Sequence, residues 1–189
     1  MKKFLLPLAA VVLIALLSAF GEQRSPVIYL IGDSTMANKS IEKNGQERGW
    51  GMMLPGLLDA AVRVENHAMN GRSSRSFRDE GRWAPIYENM KPGDYVFIQF
   101  GHNDQKVGTV RYSDPDTLFR ENLKRYITET REKGGLPMRF TPIARRHFDE
   151  AGQLIDTHDK YTRSVFVVGE ETGVPVIDMN KSTTEMILA

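Results

Sequence analysis

Three polar clusters each follow directly on a short apolar run: Gly32-Asp33-Ser34-Thr35, Asn70-Gly71-Arg72-Ser73-Ser74 and Gly101-His102-Asn103-Asp104. Their residue types suit acyl transfer. Ser34 supplies a hydroxyl for nucleophilic attack, and Gly32 two residues earlier permits a tight turn and close approach. If Ser34 starts a helix, its own N–H points toward a developing anion. Gly71 offers an N–H with no side chain in the way, and the Asn103 amide offers a third donor. Three donors around one nucleophile are what a tetrahedral oxyanion needs. Taken singly, each feature has a plainer reading. Gly-Asp-Ser is common in turns, Gly71 could serve only a turn, and Asn103 could only cap a helix. Their succession after three different strands favours the site.

Convergence requires a scaffold, and the rest of the chain describes one. Strands are expected at Pro26 to Ile31, Val62 to His67, Asp94 to Phe100, Leu136 to Thr141 and Val174 to Met179. Runs this short, without clean alternation, suit a parallel sheet buried on both faces. Between them, Asp114 can cap a helix that takes Pro115 in its first turn, presents Leu118, Phe119, Leu123, Tyr126 and Ile127, and ends at Gly134-Gly135. A second helix is expected from about Thr157 to Gly173, and two more from Trp50 to Ala61 and Trp83 to Met90. The alternation predicts an α/β fold, a three-layer α/β/α sandwich on a five-stranded parallel sheet. In such sheets reactive groups gather at the carboxyl ends of the strands, where all three clusters stand.

The bulk properties narrow the partners. The chain has 189 residues, with Lys+Arg 25 against Asp+Glu 24. Lys2 and Lys3 open an apolar stretch from Phe4 to Phe20 that ends in Ala19-Phe20-Gly21, the pattern of a cleaved signal peptide over residues 1–21. Without those two lysines the balance is about −1, so no basic surface faces nucleic acid. The remaining residues, 22–189, are expected to form one domain. With no cysteine, neither a disulfide framework nor a lipidated anchor is open to the chain. A glycan on the Asn38 sequon would crowd Ser34, which favours a host without N-glycosylation. A secreted or periplasmic protein, with no membrane attachment after cleavage, is the expectation. No metal or cofactor is expected: zincin spacing, a Walker loop and Gly-x-Gly-x-x-Gly are absent, and Asp33 would repel a phosphate in the first loop.

With Gly32-Asp33-Ser34, Gly71 and Gly101-His102-Asn103-Asp104, the chain resembles the SGNH (GDSL) hydrolases. It is most similar to their rhamnogalacturonan acetylesterase branch. Gly49-Trp50-Gly51, Leu54-Pro55, Asn70 to Phe77 and Thr141 to Arg146 extend the resemblance over about Val27 to Met179. The resemblance implies a flavodoxin-like fold and a serine esterase acting on acetylated pectic polysaccharide. It implies Ser34 as nucleophile and an oxyanion hole made of the Ser34 N–H, the Gly71 N–H and the Asn103 amide. Asp33 and Asp104 then hold loops, and His102, His158 and Arg72 are candidates for substrate contact. Arg72, Arg75, Arg145 and Arg146 favour a polar or acidic glycan over a lipid.

The family's base is a histidine in an Asp-x-x-His motif after the fifth strand, and no such motif occurs here. The histidines are His67, His102, His147 and His158, all before Val174. A helix beginning near Asn180, capped by Ser182, Thr183 or Thr184, stops within about two turns. The expectation is therefore a domain truncated at its C-terminus. The alternatives are a non-catalytic carbohydrate-binding remnant and a lipase or thioesterase of the same family. Arg139, in the fourth strand, is out of place on a buried strand unless it reaches a sheet end or a carboxylate.

Overall fold

The computed structural model describes residues 24–189, so the segment 1–21 read as a signal peptide lies outside the described residues. Five strands form one sheet: β1 (Val27–Gly32), β2 (Arg63–Asn66), β3 (Tyr95–Gln99), β4 (Leu136–Phe140) and β5 (Val176–Ile177). All pair in parallel, in the order β2-β1-β3-β4-β5. That order places a topological switch beside β1, the position where open α/β sheets keep their ligands. Every residue of β1 is buried, which is why its sequence is apolar without alternation.

The described helices are α1 (Ile41–Asn44), α2 (Trp50–Met53), α3 (Ser74–Asp79), α4 (Ala84–Asn89), α5 (Leu118–Glu132), α6 (Asp159–Thr172) and α7 (Met179–Leu188). One face of the sheet carries Tyr29, Ile31, Val96 and Ile98 against Phe77, Phe119, Tyr126 and Val165 of α3, α5 and α6. The other carries Ile28 and Leu30 against Met36, Trp50 and Leu54. The expected three-layer sandwich is the observed fold.

Several boundaries moved, each for a local reason. The single helix read over Trp50 to Ala61 is α2 followed by a 3₁₀ turn, Leu54–Leu57, because Pro55 lacks the N–H that a continuing α-helix requires. Asp114 does not cap α5. Its carboxylate takes the N–H groups of Asp116 and Thr117 in a preceding turn, and α5 starts at Leu118 with Pro115 outside it. Gly173 ends α6 in the left-handed conformation. The expected strand Val174 to Met179 keeps only Val176 and Ile177. The cap of α7 is Asp178, whose side chain accepts from the Lys181 N–H at 3.1 Å. The hydroxyls of Ser182 and Thr183 bond back to the carbonyls of Asp178 and Met179 instead.

Arg139 reaches neither a sheet end nor, among the described residues, a carboxylate. It is 1% exposed. Nη1 donates to the Val165 carbonyl at 2.6 Å and Nη2 to the Val174 carbonyl at 3.3 Å, while Nε has no partner. Burial pulls its pKa down to about 10. Gly169 of α6 makes the room: a Cβ there would stand 2.3 Å from Nη2.

Candidate active site

The first cluster leaves β1 through Gly32, where a Cβ would stand 2.6 Å from the Gln99 carbonyl, so the chain passes only as glycine. Asp33 then closes the turn. Its Oδ1 accepts the Thr35 N–H at 2.9 Å, and its carbonyl accepts the N–H groups of Met36 and Ala37. This makes a single turn rather than the helix start expected for Ser34. The first regular helix waits until Ile41, after an extended Ser40. Ser34 is half-buried at the crest of that turn, and its hydroxyl has no hydrogen-bond partner among the described residues. The orientation of its N–H therefore comes from the Asp33 turn and not from a helix axis.

The second cluster turns at Met69 to Arg72, with the Arg72 N–H on the Met69 carbonyl at 3.2 Å and Gly71 at φ +77°. That left-handed conformation requires glycine. Ser73 then opens α3 with a reciprocal cap: its Oγ accepts the Ser76 N–H and its N–H donates to Ser76 Oγ. The Met69 N–H on the Gly32 carbonyl, 3.0 Å, ties this loop to the first.

The third cluster meets the second through two contacts. The Asn103 amide donates to the Arg72 carbonyl at 3.0 Å, beside Gly71, which leaves its second proton uncommitted. Asp104, fully buried, accepts from Ser74 N–H, Ser74 Oγ and Gly101 N–H. Burial pushes the Asp104 pKa up to about 7, with the Asp33 carboxylate adding to the rise and these donors opposing it. Asp33 is also fully buried, and its Oδ2 has no partner. Both aspartates hold loops together.

Other residues expected to contact substrate are engaged with neighbours. The His102 and His158 rings lie tilted against each other with centroids 4.1 Å apart, and His158 is only 1% exposed, so it does not face a cleft. Nε2 of His102 lies 3.0 Å from the Ile143 carbonyl, which only accepts, so Nε2 carries the proton. Burial lowers both histidines, His158 to about 3 with help from His102 and Arg145. Both rings are neutral near pH 7. Arg72 is held by Glu80 at 2.9 Å and by the Asn70 carbonyl at 2.8 Å, and Arg75 pairs with Asp79. Arg145 donates to the His102 carbonyl.

The sequence reading missed Arg111. Its guanidinium lies against Gly71, and no motif spacing announces it because it arrives on the long loop between β3 and α5. Gln99 was also missed. Its Oε1 accepts from Trp50 Nε1 at 2.8 Å and lies 3.1 Å from Thr35 Oγ1, while its amide donates to the Thr141 carbonyl. A cavity of about 450 Å³ between the 144–157 loop and α7, lined by Arg145, Asp156, Asn180 and Lys181, does not include Ser34. Among the described residues no group of three His, Cys, Asp or Glu is gathered to hold a metal ion.

Comparison with known proteins adds to this geometry. The model of the GDSL-like Lipase/Acylhydrolase family matches residues 30–187. In Bacillus subtilis (strain 168), the probable rhamnogalacturonan acetylesterase YesY is 39% identical over 153 residues, covering 80% of this chain and 69% of YesY. The rhamnogalacturonan acetylesterase RhgT of the same organism is 38% identical over 156 residues, covering 82% of this chain and 66% of RhgT. The crystal structure of Bacillus subtilis YxiM superposes with a TM-score of 0.75 at 30% identity, covering 86% of this chain and 46% of that one. The chain thus spans about two thirds of the length of the two acetylesterases and less than half of YxiM.

Proposed function

The chain belongs to the GDSL-like lipase/acylhydrolase family, and from that premise we propose that it is a secreted serine esterase removing acetyl groups from a pectic polysaccharide of the rhamnogalacturonan class. One observation carries this. The Asn103 amide on the Arg72 carbonyl and the Met69 N–H on the Gly32 carbonyl tie together the three loops that carry Ser34, Gly71 and Asn103, which supports their joint use. The names of YesY and RhgT supply the substrate class. The apolar stretch from Phe4 to Phe20 supports export.

In the reaction, Ser34 Oγ attacks the acetyl carbonyl carbon and its proton passes to a general base. The carbonyl oxygen becomes an anion and is received by the N–H groups of Ser34 and Gly71 and the free proton of the Asn103 amide. Collapse expels the sugar alkoxide, which takes the proton back from the base, and leaves acetyl-Ser34. Water, deprotonated by the same base, then releases acetate and restores the serine. Among the described residues no histidine is hydrogen-bonded to Ser34. His102 Nε2 is on the Ile143 carbonyl, His158 is buried against the His102 ring, and His67 lies 3.2 Å from Glu65. Asp33 and Asp104 act before chemistry, by fixing the turns that aim the donors.

The test uses the product of the complete reading frame. It should hydrolyse p-nitrophenyl acetate and release acetate from acetylated rhamnogalacturonan. Ser34→Ala should lower kcat by about 10³-fold or more, since removing a nucleophile leaves only binding and the oxyanion hole. Full activity in Ser34→Ala would remove Ser34 from the role, and polysaccharide binding without turnover would leave only a carbohydrate-binding protein.

A further inference from the structure

Arg111, whose guanidinium lies against Gly71, is uncommitted. Arg72, Arg75, Arg78, Arg82 and Arg120 each have a carboxylate partner. Arg111, half-buried, makes no side-chain hydrogen bond or ion pair among the described residues. Half-burying a guanidinium removes part of its hydration, so a position of this kind is stabilised once an anion arrives.

Its placement is specific. Gly71 at φ +77° presents a bare face where any other residue would carry a Cβ. Cζ, Nη1 and Nη2 of Arg111 all lie 3.7 Å from that Cβ position. Equal distances mean that the plane of the guanidinium lies across Gly71, so its N–H edges are not directed at that glycine. A planar fork of donors matches a carboxylate through two parallel hydrogen bonds. The acetyl oxygen must sit at the Gly71 N–H, so a group within one sugar ring of the ester comes within reach of that fork.

We propose that Arg111 is a specificity-determining residue that receives the carboxylate of a uronate unit beside the acetylated carbon. This rests on the esterase reading above and adds what selects the substrate: the free acid, and not only the acetyl group. Arg72, the arginine that the motif spacing suggests for this task, is held by Glu80, which it shares with Arg82, and by the Asn70 carbonyl.

The experiment compares three substrates on the complete gene product: an acetylated rhamnogalacturonan oligosaccharide, the same oligosaccharide with its carboxyl groups methyl-esterified, and p-nitrophenyl acetate. Arg111→Ala should raise KM for the acidic oligosaccharide about 10–100-fold with kcat within about 3-fold, as expected for loss of a charge-assisted pair. The two neutral substrates should change less than about 3-fold, and Arg111→Lys should recover part of the loss. An equal loss on all three substrates would mean that Arg111 acts on the oxyanion or on the fold, and overturns the proposal. An unchanged KM for the acid overturns it as well. Calorimetric titration of Ser34→Ala with the acidic oligosaccharide, with and without Arg111→Ala, reads the same contact without turnover. If the enzyme is inactive but this binding is lost with Arg111, the esterase reading fails and the carboxylate site stands.

Discussion

The Asp104 carboxylate takes both donors of Ser74 on one oxygen: Oδ1 accepts the Ser74 N–H at 3.0 Å and the Ser74 hydroxyl at 2.5 Å. Its other oxygen accepts the Gly101 N–H at 3.0 Å. One buried side chain therefore fixes the start of α3 and the turn that carries Asn103. The cluster Asn103-Asp104 divides its labour, the first residue facing the Gly71 loop and the second anchoring it.

Asp104→Asn replaces an accepting oxygen with a donating amide beside donors already in place, and should destabilise by about 1–3 kcal/mol. The pH dependence follows from the raised pKa. Between the ordinary 3.8 and about 7 the folded state binds the extra proton, so the stability contributed by Asp104 falls as pH rises through that window. Asparagine does not titrate. The cost of Asp104→Asn, measured by urea unfolding, should accordingly be larger at pH 5 than at pH 8. A cost that grows with pH would contradict the raised pKa.

Arg139 and Gly169 form a coupled pair across β4 and α6. Gly169→Ala would place a methyl 2.3 Å from Arg139 Nη2 and 2.8 Å from a Val176 methyl, and should destabilise by about 1–3 kcal/mol. Arg139→Met removes a buried charge that no carboxylate balances among the described residues, and should leave stability unchanged or raised. In the double variant Gly169→Ala should cost less than it does alone. Strict additivity in that cycle would show that the two side chains do not share the space.

The sheet was legible because its strands are buried on both faces and so read as apolar runs, and Gly173 announced the end of α6. The three site clusters were legible because turn residues at strand ends are chemically distinctive. Other features were not. The helix α3 was missed: Ser74 to Asp79 has one apolar residue, Phe77, so no period shows, and its signal was the Ser73–Ser76 cap. Arg111 was invisible since nothing in its own neighbourhood in sequence predicts contact with Gly71. The pairing of Arg72 was equally hidden, because Glu80 lies eight residues on and beyond a helix.

His158 sets an acid limit on stability. Its ring is buried with Nε2 unpartnered, and its folded pKa is near 3 against an ordinary 6.5. The stability that the neutral ring contributes is fully present above pH 6.5 and is lost as pH falls toward 3. His158→Phe keeps a ring against His102 and has nothing to protonate. Its stability relative to the parent, from thermal unfolding, should rise as pH drops from 7 to 5. A difference independent of pH would mean that His158 titrates normally.

Gln99 joins the nucleophile turn to the far strands. Its Oε1 receives Trp50 Nε1 and sits beside Thr35 Oγ1, one residue from Ser34, while its Nε2 holds the Thr141 carbonyl. Thr141 Oγ1 in turn donates to Asp178 and accepts the Asn180 N–H at the start of α7. This buried amide can therefore pass a displacement of β4 or α7 into the position of Ser34. Gln99→Met fills the volume but removes both acceptor and donor, so Thr35 keeps only Asp33. The expected result on p-nitrophenyl acetate is a fall of about 10-fold in kcat with KM within about 2-fold, because binding of so small an ester does not depend on the tilt of the turn but attack does. Unchanged kcat with reduced stability would confine Gln99 to the fold.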